Sequence, residues 1–234
     1  VLFISLEMSS VELSDRMLWM ASGVEGHRLR NGTCSTEQTG RVVRAAASLA
    51  ERHLWIQDTY ALNIAQIGAI ARRHRRRHGL DVLLIDYCQL IRPDNPRADR
   101  HEQVAAISRA LKGLARELNV ALVVAAQVNR QPAEGAKPPQ LHNLKESGAI
   151  EQDADVVVFC HIPDAYDKSL SPDATGASVA EWHIAKQRNG PVGVVDMLFR
   201  RPCSRWEDRA TDRQERDVCP NLLSPVDDDD QFPP

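Results

Sequence analysis

Leu144-Lys145-Glu146-Ser147-Gly148, followed by Ile150-Glu151-Gln152-Asp153-Ala154-Asp155 and then by Val156-Val157-Val158-Phe159, passes from a charged segment into a continuous apolar run. A short continuous apolar run of this kind suits a strand. Comparable runs lie upstream: 1–6 is followed by Glu7, 80–85 by Asp86, and 120–126 by Gln127. Between them are helical stretches at 11–22, 35–51, 64–78 and 102–118. The third is stopped by Gly79, and the last carries Val104, Ile107, Leu111, Leu114 and Leu118 at helical spacing. Strands alternating with helices predict an α/β fold, a parallel sheet with helices on both faces. Ligands gather at the C-terminal strand ends of such sheets. Glu7, Asp86 and Gln127 are therefore expected to converge on one site although they are far apart in the chain.

Residues 130–148, rich in Pro, Gly, Lys and Asn, read as a long loop of the functional kind. A second loop is expected at 163–176, after which 179–185 and 192–199 flank Arg188-Asn189-Gly190-Pro191 in a hairpin-like arrangement. From about Glu207 periodicity is lost, and the chain ends Asp227-Asp228-Asp229-Asp230-Gln231-Phe232-Pro233-Pro234. The expectation is a folded unit over 1–206 and a disordered acidic tail over 207–234.

A chain of 234 residues can bury one sizeable core, and 43% hydrophobic with 26% charged residues reads as soluble and globular. No apolar run approaches the ~20 residues that span a bilayer. The apolar start lacks a basic segment before it and turns acidic at Glu7, which does not fit a signal peptide. Cys34, Cys88, Cys160, Cys203 and Cys219 are scattered, with no C-x-x-C pair, pointing to a reducing cytoplasm and no zinc site. A net charge of −3 gives no global attraction to nucleic acid, so any basic surface must be local. The cluster at 72–78 is basic, but it sits at a helix end, where cations complement the dipole, and has no interleaved aromatics. It reads as a solvated face. His74 and His78 have metal-ligand spacing on a helix without further ligands in view, and read as solvated too.

Four motifs in order, Ser5-Leu6-Glu7-Met8, Ile85-Asp86-Tyr87, the run from Leu144 to Phe159, and Lys186-Gln187-Arg188-Asn189-Gly190-Pro191, resemble the C-terminal motor domain of DnaB-type replicative DNA helicases. That domain is a RecA-like P-loop ATPase, with a mostly parallel central sheet and a C-terminal antiparallel hairpin. The resemblance covers the chain from Val1 to about Trp206. It implies a motor that works in the cytoplasm as a homohexamer, encircles single-stranded DNA, and uses ATP and Mg2+ to translocate and unwind. Primase and a helicase loader are implied as partners, and no membrane.

On this resemblance Glu7 is the catalytic glutamate that polarises the attacking water, and Asp86 the Walker B aspartate that holds Mg2+ through water. Gln127 is the sensor of the γ-phosphate, and Arg16 lies at the nucleotide pocket. Lys186 and Arg188 are the fingers that reach a neighbouring subunit's nucleotide, supplying charge in trans. Lys145, Glu146 and Gly148 belong to the loop that follows the DNA backbone. Two departures stand out: Lys145 replaces the usual Arg, losing the bidentate fork, and Cys88 replaces Leu. The phosphate cradle G-x-x-x-x-G-K-S/T occurs nowhere in the sequence, which reads as truncation, since in the family it lies about one helix before the strand that opens this chain. Without it the chain alone is expected to be inactive. Alternatives are another RecA-like ATPase, such as a phage primase-helicase or a recombination factor, and a non-catalytic regulatory or DNA-binding module that lost the P-loop.

Overall fold

Short runs of Leu, Ile and Val punctuated by capped helices give the element order. It runs β1 (Leu2–Ser5), α1 (Ser10–Ser22), α2 (Gly26–Arg30), α3 (Thr36–Ala50), β2 (Trp55–Gln57), α4 (Ile64–His78), β3 (Val82–Asp86), α5 (Arg100–Leu118) and β4 (Ala121–Val124). After these come α6 (Gly148–Asp153), β5 (Val156–His161), β6 (Ala177–Gln187), β7 (Gly193–Arg200) and β8 (Arg205–Asp208). This computed structural model describes residues 1–128, 138–166 and 170–209.

The helices start where side chains can satisfy their first amides. Ser9 with Glu12, Ser35 with Gln38 and Asn63 with Gln66 form reciprocal capping boxes, and Asp99 accepts from the Glu102 amide. Each cap stabilises its helix by about 1 kcal/mol. The Asp99 cap also explains why α5 begins two residues before the expected 102. Helix α4 spans the expected 64–78, bounded by Asn63 and by Gly79 at positive φ.

The first four strands pair in parallel in the order β2-β1-β3-β4, with Leu2 opposite Leu83, Ile4 opposite Ile85 and Ser5 opposite Asp86. Ile4, Ile67, Ala71 and Leu83 are fully enclosed, and Ile107, Leu111, Leu114 and Leu118 close the core from α5. Burying one such Leu or Ile contributes ~1.5–3 kcal/mol.

The last four strands form an antiparallel sheet in the order β5-β6-β7-β8. The expected hairpin is its central pair, β6 and β7, extended by β5 on one side and β8 on the other. Among the described residues β4 pairs only with β3 and β5 only with β6, so each has one free edge, and Val123 and Val156 are exposed there. The long loop expected over 130–148 is partly helical. Leu141–Ser147 is a 3-10 helix that runs into α6, while 129–137 lies outside the described residues. Proximity to α5 accounts for this order: Ser108 donates to Asp153 at 2.7 Å, and Lys112 pairs with Asp155. Of the expected tail, 210–234 lies outside the described residues. No helix of the described residues is long and apolar enough to cross a membrane.

Candidate functional site

The parallel register places Ser5 beside Asp86, so the turn leaving β1 lies against the end of β3. The Leu6 amide donates to the Asp86 carbonyl at 2.8 Å. Ser5, almost completely buried, fixes that turn: its Oγ donates to the Met8 carbonyl at 2.7 Å and accepts from the Met8 amide at 3.1 Å. Glu7 is thereby held outward, exposed, next to the half-buried Asp86. Burial raises the Asp86 carboxyl above the usual carboxylate range, the negative charge of Glu7 raises it further, and the positive charge of Arg16 on α1 opposes both. Glu7, Asp86 and Arg16 thus form one electrostatic unit. Two carboxylates whose charges repel in a partly dry site fit a divalent cation, because the ion relieves the repulsion and replaces lost hydration. Asp58 closes the adjacent strand end, accepting from the Ser10 amide at 2.7 Å.

Gln127 lies three residues past the end of β4, exposed, at the same end of the sheet. Its backbone, rather than its side chain, is what the fold holds. The Gln89 amide group donates to the Gln127 carbonyl at 3.0 Å and accepts from the Gln127 amide at 3.2 Å, in a reciprocal pair. Gln89 is itself held: its carbonyl accepts from Arg100 at 2.8 Å, and the Cys88 thiol donates to its Oε1 at 3.1 Å. Burial pushes the Cys88 thiol up to about 11, so it stays protonated as that donor. Gln89 and Arg100 have no place in the sequence-derived site. The available signal was that Gln89 lies in the run Tyr87-Cys88-Gln89-Leu90 directly after Asp86, close enough to share its strand end.

Lys186 and Arg188 come together at the end of β6, but at α6. Lys186 Nζ donates to the carbonyls of Glu151 and Gln152, and Arg188 donates to the Gln152 carbonyl at 2.7 Å. These are C-terminal carbonyls of a helix, which have no partner within it and attract cations. Arg188 also pairs with Asp155 at 3.2 Å, while Lys112 on α5 holds the same carboxylate. The hydrogen bond from Lys112, then its charge and that of Arg188, keep Asp155 below the usual carboxylate range. One short segment, 151–155, therefore joins the two cations to the helix that opens at Gly148. Gly148 sits in ordinary helical conformation between the 3-10 helix and α6, with open space where a Cβ would be. Lys145 and Glu146 lie in the 3-10 helix, and their side chains fall outside the described residues.

A parallel sheet flanked by helices, followed by an antiparallel sheet, is the architecture of a RecA-like ATPase domain. The chain belongs to the family described as DnaB-like helicase C terminal domain, whose model matches residues 1–208. It is 39% identical over 201 residues to the replicative DNA helicase DnaB of Geobacillus stearothermophilus, covering 85% of this chain and 43% of that protein. Against the replicative DNA helicase DnaB of Treponema pallidum (strain Nichols) it is 40% identical over 204 residues, covering 87% and 44%. The solved ATPase domain of G40P superposes with a TM-score of 0.81 at 29% identity, covering 90% of this chain and 75% of that one. A DnaB-like replicative helicase, solved in a study of its interactions with primase, superposes with a TM-score of 0.81 at 29% identity, covering 89% and 50%. The chain thus spans less than half the length of the curated relatives it matches.

Proposed function

We propose that this chain is the greater part of an ATP-driven DNA helicase motor, active as a hexameric ring that moves along single-stranded DNA during replication. The observation that carries the reading is the coupling of Glu7 and Asp86 across neighbouring parallel strands, where burial and mutual charge set Asp86 apart from an ordinary surface acid. Asp86 is the residue that would hold a magnesium ion, which when bound neutralises charge on the nucleotide's phosphates. Glu7, exposed at the turn, accepts the proton of the attacking water. Gln127, its backbone clamped by Gln89, presents a neutral amide to the γ-phosphate. A neutral amide can donate before hydrolysis and rearrange after it with no charge left unpaired.

Lys186 and Arg188 supply positive charge to the site of an adjacent subunit. Their hold on the 151–155 segment ties that contact to α6 and to the loop carrying Lys145, Glu146 and Gly148. Occupancy of a subunit interface can then shift the DNA-contacting segment mechanically. Binding through backbone amides and one lysine is sequence-tolerant and weakens with salt. Primase and a loader are the partners proposed for the whole ring, and the cytoplasm its place.

The test begins with the coding sequence upstream of Val1. An in-frame G-x-x-x-x-G-K-S/T about one helix before Val1, together with DNA-stimulated ATPase activity of the complete product that is lost in Arg188→Ala, is expected. A start codon at that point with no phosphate cradle overturns the motor and leaves a non-catalytic module.

A further inference from the structure

The basic run on α4 has aromatic neighbours after all, brought to it by β2. Trp55, first residue of β2, lies against the rings of His78 at 5.0 Å, His74 at 4.7 Å and His53 at 6.0 Å, with His53 and His78 stacked on it. His53 and His78 are exposed, Trp55 is half-buried, and His74 is buried with its Nε2 lacking a partner. Helical spacing puts Arg75 and Arg77 on either side of His78, and Arg52 precedes His53. Among the described residues Arg72 is paired, bidentately with Glu117, whereas Arg52, Arg73, Arg75, Arg76 and Arg77 are exposed and make no ion pair. Glu51 and Asp81 border the patch without balancing it. Complementing a helix dipole takes a fraction of one charge, so this many unpaired arginines exceed that need. Trp55 pairs with Leu2 at the start of β1, so the patch lies at the opposite end of the sheet from Glu7 and Asp86.

We infer that this arginine-flanked ring stack is the docking site for the acidic segment 227–232 of the same chain. The segment offers four consecutive aspartates followed by Gln231 and Phe232, an aromatic ring for the Trp55 shelf beside carboxylates for the arginines. No other stretch of the sequence carries four adjacent acids, and the two runs offset each other in a chain whose net charge is only −3. At ~3.3 Å per residue, 210–226 can bridge tens of ångströms from Arg209, whereas a domain of this size has a radius of gyration of ~17 Å. Attachment to the same chain gives the segment an effective concentration on the order of millimolar, enough for a weak electrostatic contact to stay occupied. The docked tail covers the arginines and holds off other polyanions.

The test uses a fluorescein-labelled peptide of residues 224–234 and fluorescence anisotropy on two forms of the full chain, unmodified and with residues 227–230 changed to Asn. The peptide is expected to bind the Asn form at least about tenfold more tightly, because the intact tail competes for the patch. Binding should fall steeply between low and physiological salt and vanish in the Asn form carrying Arg75→Glu and Arg77→Glu, checked for folding by circular dichroism. A peptide whose aspartates are replaced by Asn should not bind, a control independent of protein folding. Equal binding to both forms, no binding, or binding that survives the arginine changes overturns the proposal. So does a single-stranded oligonucleotide that binds through Arg75 and Arg77 and is not displaced by the peptide, which would assign the patch to nucleic acid.

Discussion

Glu7 and Asp86 stand at the ends of neighbouring parallel strands, where burial and then the negative charge of Glu7 work against ionisation of Asp86. Lys186 and Arg188, at the end of an antiparallel strand, stand where carbonyls of α6 and the Asp155 carboxylate welcome theirs. The acid end is electrostatically unsatisfied in the free chain, and the cation end is satisfied. On the function proposed above, this is the contrast expected between a site that takes up cation and phosphate and a finger kept in place until a neighbouring subunit engages it. The antiparallel sheet thus holds its cations on α6, and the parallel sheet leaves its acids without a cation of their own beyond Arg16.

The largest expected effect breaks both ends at once. In the complete product, Glu7→Gln and Arg188→Ala should each lower DNA-stimulated ATPase turnover by about 10³-fold, within the range for a general base and for an arginine finger. The two differ on mixing. If the acids act within a subunit and the cations on its neighbour, rings containing both variants regain part of the activity, measured as turnover against mixing ratio. Rings that stay inactive at every ratio place both groups on one subunit's nucleotide.

Leu83→Ala, at the centre of the parallel sheet, should cost about 2–5 kcal/mol in urea unfolding. Val194→Ala on exposed β7 should stay within about 0.5 kcal/mol. Similar losses at the two positions would contradict the contrast between a core-bearing sheet and an exposed one. Gln89→Ala leaves the amide and carbonyl of Gln127 without their partner. Faster hydrogen exchange at the Gln127 amide, by about tenfold for a contact worth ~1.4 kcal/mol, is expected with little change in global stability.

The smallest effect sharpens the electrostatic contrast. Asp86 keeps its proton to higher pH in the folded chain than in the unfolded one. Between the two values the folded state binds more protons, so stability falls as pH rises through that window and stays lower above it. Asp86→Asn should therefore raise the melting temperature at pH 7, by about 2 °C, while abolishing turnover. Asp155 has the opposite sign. Its lowered carboxyl adds stability above the usual carboxylate value that is lost progressively as pH falls below it, so Asp155→Asn should lower stability at pH 7 and by less as the pH is made more acidic, read from melting temperature against pH.

Local physics was readable wherever one residue type settles a local question. Asn63 and Gly79 bound α4, since a side-chain cap and a positive φ need no tertiary partner. Alternation of apolar runs and helical stripes gave the parallel sheet and its acidic strand ends. Short elements were not readable: β2 has three residues and α2 five, too few for any period to show. Helix α6 has six residues and owes its place to Ser108 and Lys112 on α5, which no local pattern reveals.

The sequence by itself determined the family, the order of its motifs and the chemistry available to each of them, because residue type and spacing are properties of the chain. The tertiary structure alone decided that Gln89 clamps Gln127, that Lys186 and Arg188 rest on 151–155, and that Trp55 lies against the arginines of α4. Each of these joins residues from separate elements, and such contacts depend on how strands and helices pack, which spacing along a chain does not encode.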